Sequence, residues 1–116
     1  MIKEVRAISF SERALVEAVR LYGAKGADGH RFVQVLGAEI VADQPPTLMV
    51  KAVVEGRPEP QHIMLSAAET AASLILLCRR EKIPLPRKSE KALRLENGAM
   101  CLIITREPWQ LSTTGA

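Results

Sequence analysis

Apolar and polar residues alternate along most of this chain, and in two stretches the alternation gives way to the three-to-four-residue spacing of an amphipathic helix. Lys3 to Ile8 sets Val5 and Ile8 among polar neighbours and reads as a short strand. Ser9 and Glu12 have the spacing of a capping box, in which each side chain satisfies a backbone N–H at the start of a helix. Leu15, Val19 and Tyr22 then fall on one stripe and Arg13, Glu17 and Arg20 on another, so a helix is expected as far as Gly23. After a loop over Ala24 to Arg31, Phe32 to Ala42 is rich in Val and Ile and reads as a strand, with a bulge or bend at Gly37. Thr47 to Glu55 has the cleanest alternation, Leu48, Val50, Ala52 and Val54 against Thr47, Met49 and Lys51. Gln61 to Leu65 is a short strand with Ile63 and Leu65 on one face.

Ser66 and Glu69 repeat the capping spacing and open a second helix expected to reach about Lys82, where Ile83-Pro84-Leu85-Pro86 cannot continue it. The last unit is a hairpin, Lys91 to Glu96 and Ala99 to Thr105, joined by Asn97-Gly98, a dipeptide that tolerates positive φ at both turn positions. A two-residue loop places Leu95 opposite Met100 and Leu93 opposite Leu102, which makes one face apolar. The expected fold is therefore α+β, a mostly antiparallel sheet of about six strands with two helices on its apolar side, in the order β-α-β-β-β-α-β-β. Residues 1–105 form one domain, and 106–116 read as a flexible tail without pattern.

Each half of that order is a β-α-β-β unit. Comparing residue i with i+57 aligns Ile8-Ser9 with Leu65-Ser66, Glu12 with Glu69 and Ala14 with Ala71. A duplicated unit with a pseudo-twofold axis would produce these matches, and so would capping chemistry common to any strand-to-helix junction.

The chain is 116 residues long, enough for one core that buries roughly two-thirds of the unfolded surface. Aromatic residues are only 3%, so the core is aliphatic and few rings are available to stack on bases or sugars. Cys78 and Cys101 sit in apolar runs, where a thiol behaves as a small hydrophobe, and no disulfide framework is indicated. No run approaches the roughly 18 apolar residues of a membrane span, and the first residues lack a secretory apolar region, so a cytoplasmic location is expected.

Charge is the sharpest local signal. Between residues 79 and 94, Arg79, Arg80, Lys82, Arg87, Lys88, Lys91 and Arg94 face only Glu81 and Glu90, whereas the rest of the chain has nine basic and eleven acidic residues. A local cluster of this kind attracts phosphates or an acidic protein surface. Cations in a last helical turn also suit the helix macrodipole, and basic residues on a hairpin edge discourage edge-to-edge pairing.

The second helix has no charged residue from Ala71 to Cys78. It is either buried between the sheet and the first helix or covered by a partner, and the candidate contact residues are Ala68, Ala72, Ile75 and, in the tail, Trp109.

No His/Cys pair has metal-ligand spacing, His30 and His62 are placed apart, and Gly23, Gly26 and Gly29 follow a helix rather than a strand, unlike a dinucleotide fingerprint. Cys78 is expected to be an inert buried thiol, while Cys101 lies opposite Arg94 on the less apolar face. No cofactor, metal or enzymatic activity is expected. The expectation is a small non-catalytic accessory protein acting through protein contacts, with a second copy of itself, as a homodimer, among the candidate partners. The alternative is a nucleic-acid-binding module using the strip from Arg79 to Arg94.

Overall fold

In the computed structural model, which describes residues 3–26, 30–43 and 45–106, the elements follow the expected order. They are β1 (Glu4–Phe10), α1 (Glu12–Ala24), β2 (Phe32–Asp43), β3 (Pro46–Val54), β4 (Gln61–Leu65), α2 (Ala67–Arg80), β5 (Glu90–Glu96) and β6 (Ala99–Arg106). All strand pairings are antiparallel. The strands do not share one sheet, however. They form two three-stranded sheets, β1-β6-β5 and β2-β3-β4. Each helix leads from one sheet to the other, so the strand before a helix joins the hairpin that follows the other helix.

This exchange explains the burial pattern. The second strand of each hairpin, β3 or β6, is central in its sheet, and both carry the deepest side chains: Leu48, Val50 and Ala52 on β3, Met100 and Leu102 on β6. One core cluster joins both sheets and both helices, with Phe10, Phe32, Leu65, Leu74 and Leu77 filling the space between them. Its aliphatic packing supplies the main stabilisation of the fold.

Two expectations about the helix starts fare differently. At α2, Ser66 and Glu69 form the capping box in full, each side chain 3.1 Å from the other residue's backbone nitrogen. At α1 the cap is Ser11, whose Oγ accepts from the Ala14 N–H at 3.1 Å, and Ser9 lies inside β1. The cause is Phe10, which pairs with Met100 and is buried in the core, so the strand runs two residues beyond Ile8 before the helix begins.

That shift corrects the internal alignment from 57 residues to 55. With the offset at 55, the helix starts Glu12 and Ala67 coincide, and the buried α1 residues Leu15, Ala18, Val19 and Gly23 fall on the buried α2 residues Thr70, Ser73, Leu74 and Cys78. The two β-α-β-β units therefore bury the same helical face and exchange first strands, a pseudo-twofold arrangement.

Smaller features match their chemistry. The pairing of β2 with β3 skips between Val35 and Gly37, leaving Leu36 out of register as a bulge. Asn97 and Gly98 adopt φ of 52° and 80°, and the register Leu95↔Met100 and Leu93↔Leu102 follows from that turn. Helix α2 stops at Arg80, two residues before the expected end. Lys82 is left-handed (φ 59°), and its N–H and that of Ile83 bond back to the Arg79 and Cys78 carbonyls. The tail beyond Arg106, with Trp109, lies outside the described residues, and so does the centre of the loop after α1.

Candidate functional site

The seven strip cations are divided by the fold among several surfaces. Arg80 is drawn to α1, where its guanidinium and that of Arg20 both donate to the Glu17 carboxylate, and it also pairs with Glu81. Lys82 is exposed at the left-handed helix end. Lys91 points to the core side of β5 and donates to the Pro86 carbonyl and Ser89 hydroxyl at 3.3 and 3.1 Å. Arg94 is on the opposite side of β5, beside Cys101. Arg79, Arg87 and Lys88 are exposed and, among the described residues, form no ion pair.

Glu17 is the one carboxylate strongly perturbed among the described residues. Hydrogen bonds from Arg20 and then Arg80 hold its pKa at about 2, below the ordinary 4.5. A depressed carboxylate pKa contributes stability above the unfolded value that is lost as pH falls through the folded one. Glu17→Gln is accordingly expected to lower stability at neutral pH by less than about 1 kcal/mol, since the pair is partly solvated. The difference from the unaltered protein should shrink between pH 4.5 and 2, which acid melts of the two proteins would measure.

Helix α2 resolves into two faces. Thr70, Ser73, Leu74, Leu77 and Cys78 are buried, while Ala68 is exposed and Ala71, Ala72, Ile75 and Leu76 are half-buried on the outward side. The outward strip continues into a groove of about 330 Å³ beyond the helix end. Ile75, Ile83, Leu85 and Pro86 form its floor, and Arg79, Arg87 and Lys91 its rim. Arg6 fastens the segment under this groove by donating to the Pro84 carbonyl at 2.6 Å. Proline-rich sequence and a helix-end signal were visible beforehand, but only the fold places Leu85 beside Ile75.

A second concavity, of about 400 Å³, lies between β1, α1 and the end of α2, lined by Ile8, Phe10 and Leu77 and by the Glu17–Arg80 pair. The outer face of β2-β3-β4 exposes Val33 and Met64, at 67% and 50%, but Glu39, Lys51 and His62 break it up.

The chemically reactive groups are dispersed. His62 is exposed on β4, whereas Cys101 is buried on β6 in the other sheet, 3.4 Å from the Ser9 hydroxyl. Burial pushes the Cys78 thiol up, with only a weaker opposing pull from Arg6. Among the described residues no three His, Cys, Asp or Glu side chains gather as a metal set. None of their helices is long and apolar enough to cross a membrane. Comparison with protein-family models, with curated proteins and with solved structures finds no match to this chain.

Proposed function

We propose that the protein is a non-catalytic interaction module that holds an acidic segment of a partner protein against the outward face of α2 and the groove beyond it. The observation that carries this is the groove itself, with an apolar floor at Ile75, Ile83 and Leu85 and, among the described residues, a charged rim of the cations Arg79, Arg87 and Lys91. An apolar floor supplies affinity by burial, and a one-sign rim selects the charge of the occupant. At about 330 Å³ the groove takes one or two anchoring side chains rather than a whole ligand, which suits a short peptide segment. A second copy of the chain would set the same three cations against these, so a partner of opposite charge is favoured over a homodimer centred here.

The test is fluorescence anisotropy with a labelled synthetic peptide in which leucines alternate with glutamates. Binding at low salt is expected, and Arg79→Glu and Ile75→Asp should each weaken it about tenfold or more. Arg79 is exposed and unpaired among the described residues, so the first variant should melt like the unaltered protein. No binding at low salt, or an affinity in either variant unchanged from that of the unaltered protein, would remove the proposal. Sedimentation in parallel should report a monomer.

A further inference from the structure

Antiparallel pairing of β6 with both its neighbours brings the start of β1, the start of β5 and the end of β6 to one edge of the sheet. Residues far apart in the chain meet there around an open cleft of about 460 Å³, distinct from the groove on α2. Lys3, Arg87, Lys88 and Arg106 line it together with the hydroxyl residues Ser89 and Thr105. Two carboxylates stand nearby: Glu90 also lines the cleft, and Glu4 pairs with Arg106. Among the described residues Lys3, Arg87 and Lys88 have no carboxylate within ion-pair distance. Three cations in one concavity therefore have no ion-pair partner among the described residues, and without these three the charges of the chain balance, thirteen basic against thirteen acidic.

We infer that this cleft binds phosphate groups, and that their source is the sugar–phosphate backbone of a nucleic acid. Lys and Arg cations are the groups that most often contact backbone phosphates in nucleic-acid complexes, and the Thr105 hydroxyl lines the same cleft, the Ser89 hydroxyl being donated to the Pro86 carbonyl. The polymer is favoured over a small phosphate compound because the charge runs past the cleft. Arg87 lies on both concavities, and Arg79 and Lys91 extend the line along the neighbouring groove. Among the described residues no aromatic side chain lines the cleft, so recognition by them goes through phosphates with little regard to sequence.

Anisotropy of a labelled DNA duplex of about 20 base pairs, measured over about 50 to 200 mM salt, tests this directly. One phosphate contact for each of the three unpaired cations predicts a log–log salt slope of about −3. Lys88→Ala should reduce the slope by about 1. The double variant Lys3→Glu/Lys88→Glu should abolish binding while its melting temperature stays that of the unaltered protein. Ile75→Ala, which removes the apolar anchor of the α2 groove and changes no charge, should bind the duplex with unaltered affinity and salt slope while holding the acidic peptide less tightly, so the two proposed surfaces fail separately. A matching single strand bound with a similar slope would support backbone recognition. No retention at the lowest salt, or an affinity indifferent to salt, would overturn the site. Displacement of the duplex by millimolar inorganic phosphate at constant ionic strength would overturn the polymer assignment in favour of a small phosphate compound.

Discussion

Gly23→Ala is expected to destabilise the protein by about 2 kcal/mol, although alanine is the better helix former. A Cβ on Gly23 would stand 2.0 Å from Cδ2 and 2.5 Å from Cγ of Phe32, atoms of a ring that is itself buried in the core. No rotation of a flexible side-chain end relieves such an overlap, so either the ring or the α1–β2 packing has to shift. Overpacking of a core costs about 1–3 kcal/mol, and a clash this close belongs at the upper end. The gain in helix propensity offsets about 1 kcal/mol. Thermal melts should record a fall of roughly 8 °C. Adding Phe32→Leu should recover part of the loss, and an unchanged melting temperature for Gly23→Ala would show that α1 does not approach β2 this closely.

The second large effect separates two neighbours in one apolar run. Leu74 is fully buried, whereas Ile75 is half-buried on the outward face of α2. Leu74→Ala should cost about 3–4 kcal/mol, from lost transfer free energy plus the cavity left among side chains that cannot fully collapse. Ile75→Ala should cost about 1 kcal/mol, because only part of its surface leaves water on folding. Chemical denaturation of the two variants gives the comparison. Similar losses at both positions would mean that the α2 outward strip is as buried as its core face, and the proposed protein contact would lose its surface.

Ser73 and Thr70 show why this face of α2 was hard to assign beforehand. Both are fully buried although polar; Ser73 donates to the Glu69 carbonyl at 2.9 Å, and the Thr70 hydroxyl has no partner among the described residues. A helix that buries two hydroxyls and leaves Ile75 only half-buried does not announce its core side by hydrophobicity. The strand β3 does, since every second residue from Leu48 to Val54 is buried as its alternation requires. The capping error at Ser9 has the same character. Ser9-x-x-Glu12 and Ser66-x-x-Glu69 are equivalent in local chemistry, and only the pairing of Phe10 with Met100 decided that one of them belongs to a strand.

The functional surfaces were legible as a charge excess and an apolar run, but not as shapes. Residues 79–94 suggested one basic strip; pairing and helix packing sent Arg80 to Glu17 and Arg94 to the far side of β5. Lys3 and Arg106, which complete the cleft, gave no local sign, because the cleft residues on other elements lie more than eighty positions from Lys3 and sixteen or more from Arg106.

The order of elements, the Asn97-Gly98 turn and its register, the bulge at Gly37 and the capping box of α2 were determined by the sequence alone, because each arises from interactions within a few residues. The division into two sheets, the exchange of first strands and the gathering of cations at a sheet edge were decided by tertiary structure. Strand alternation specifies which face is buried but not which strand lies alongside, and that choice is made by the packing of the whole core.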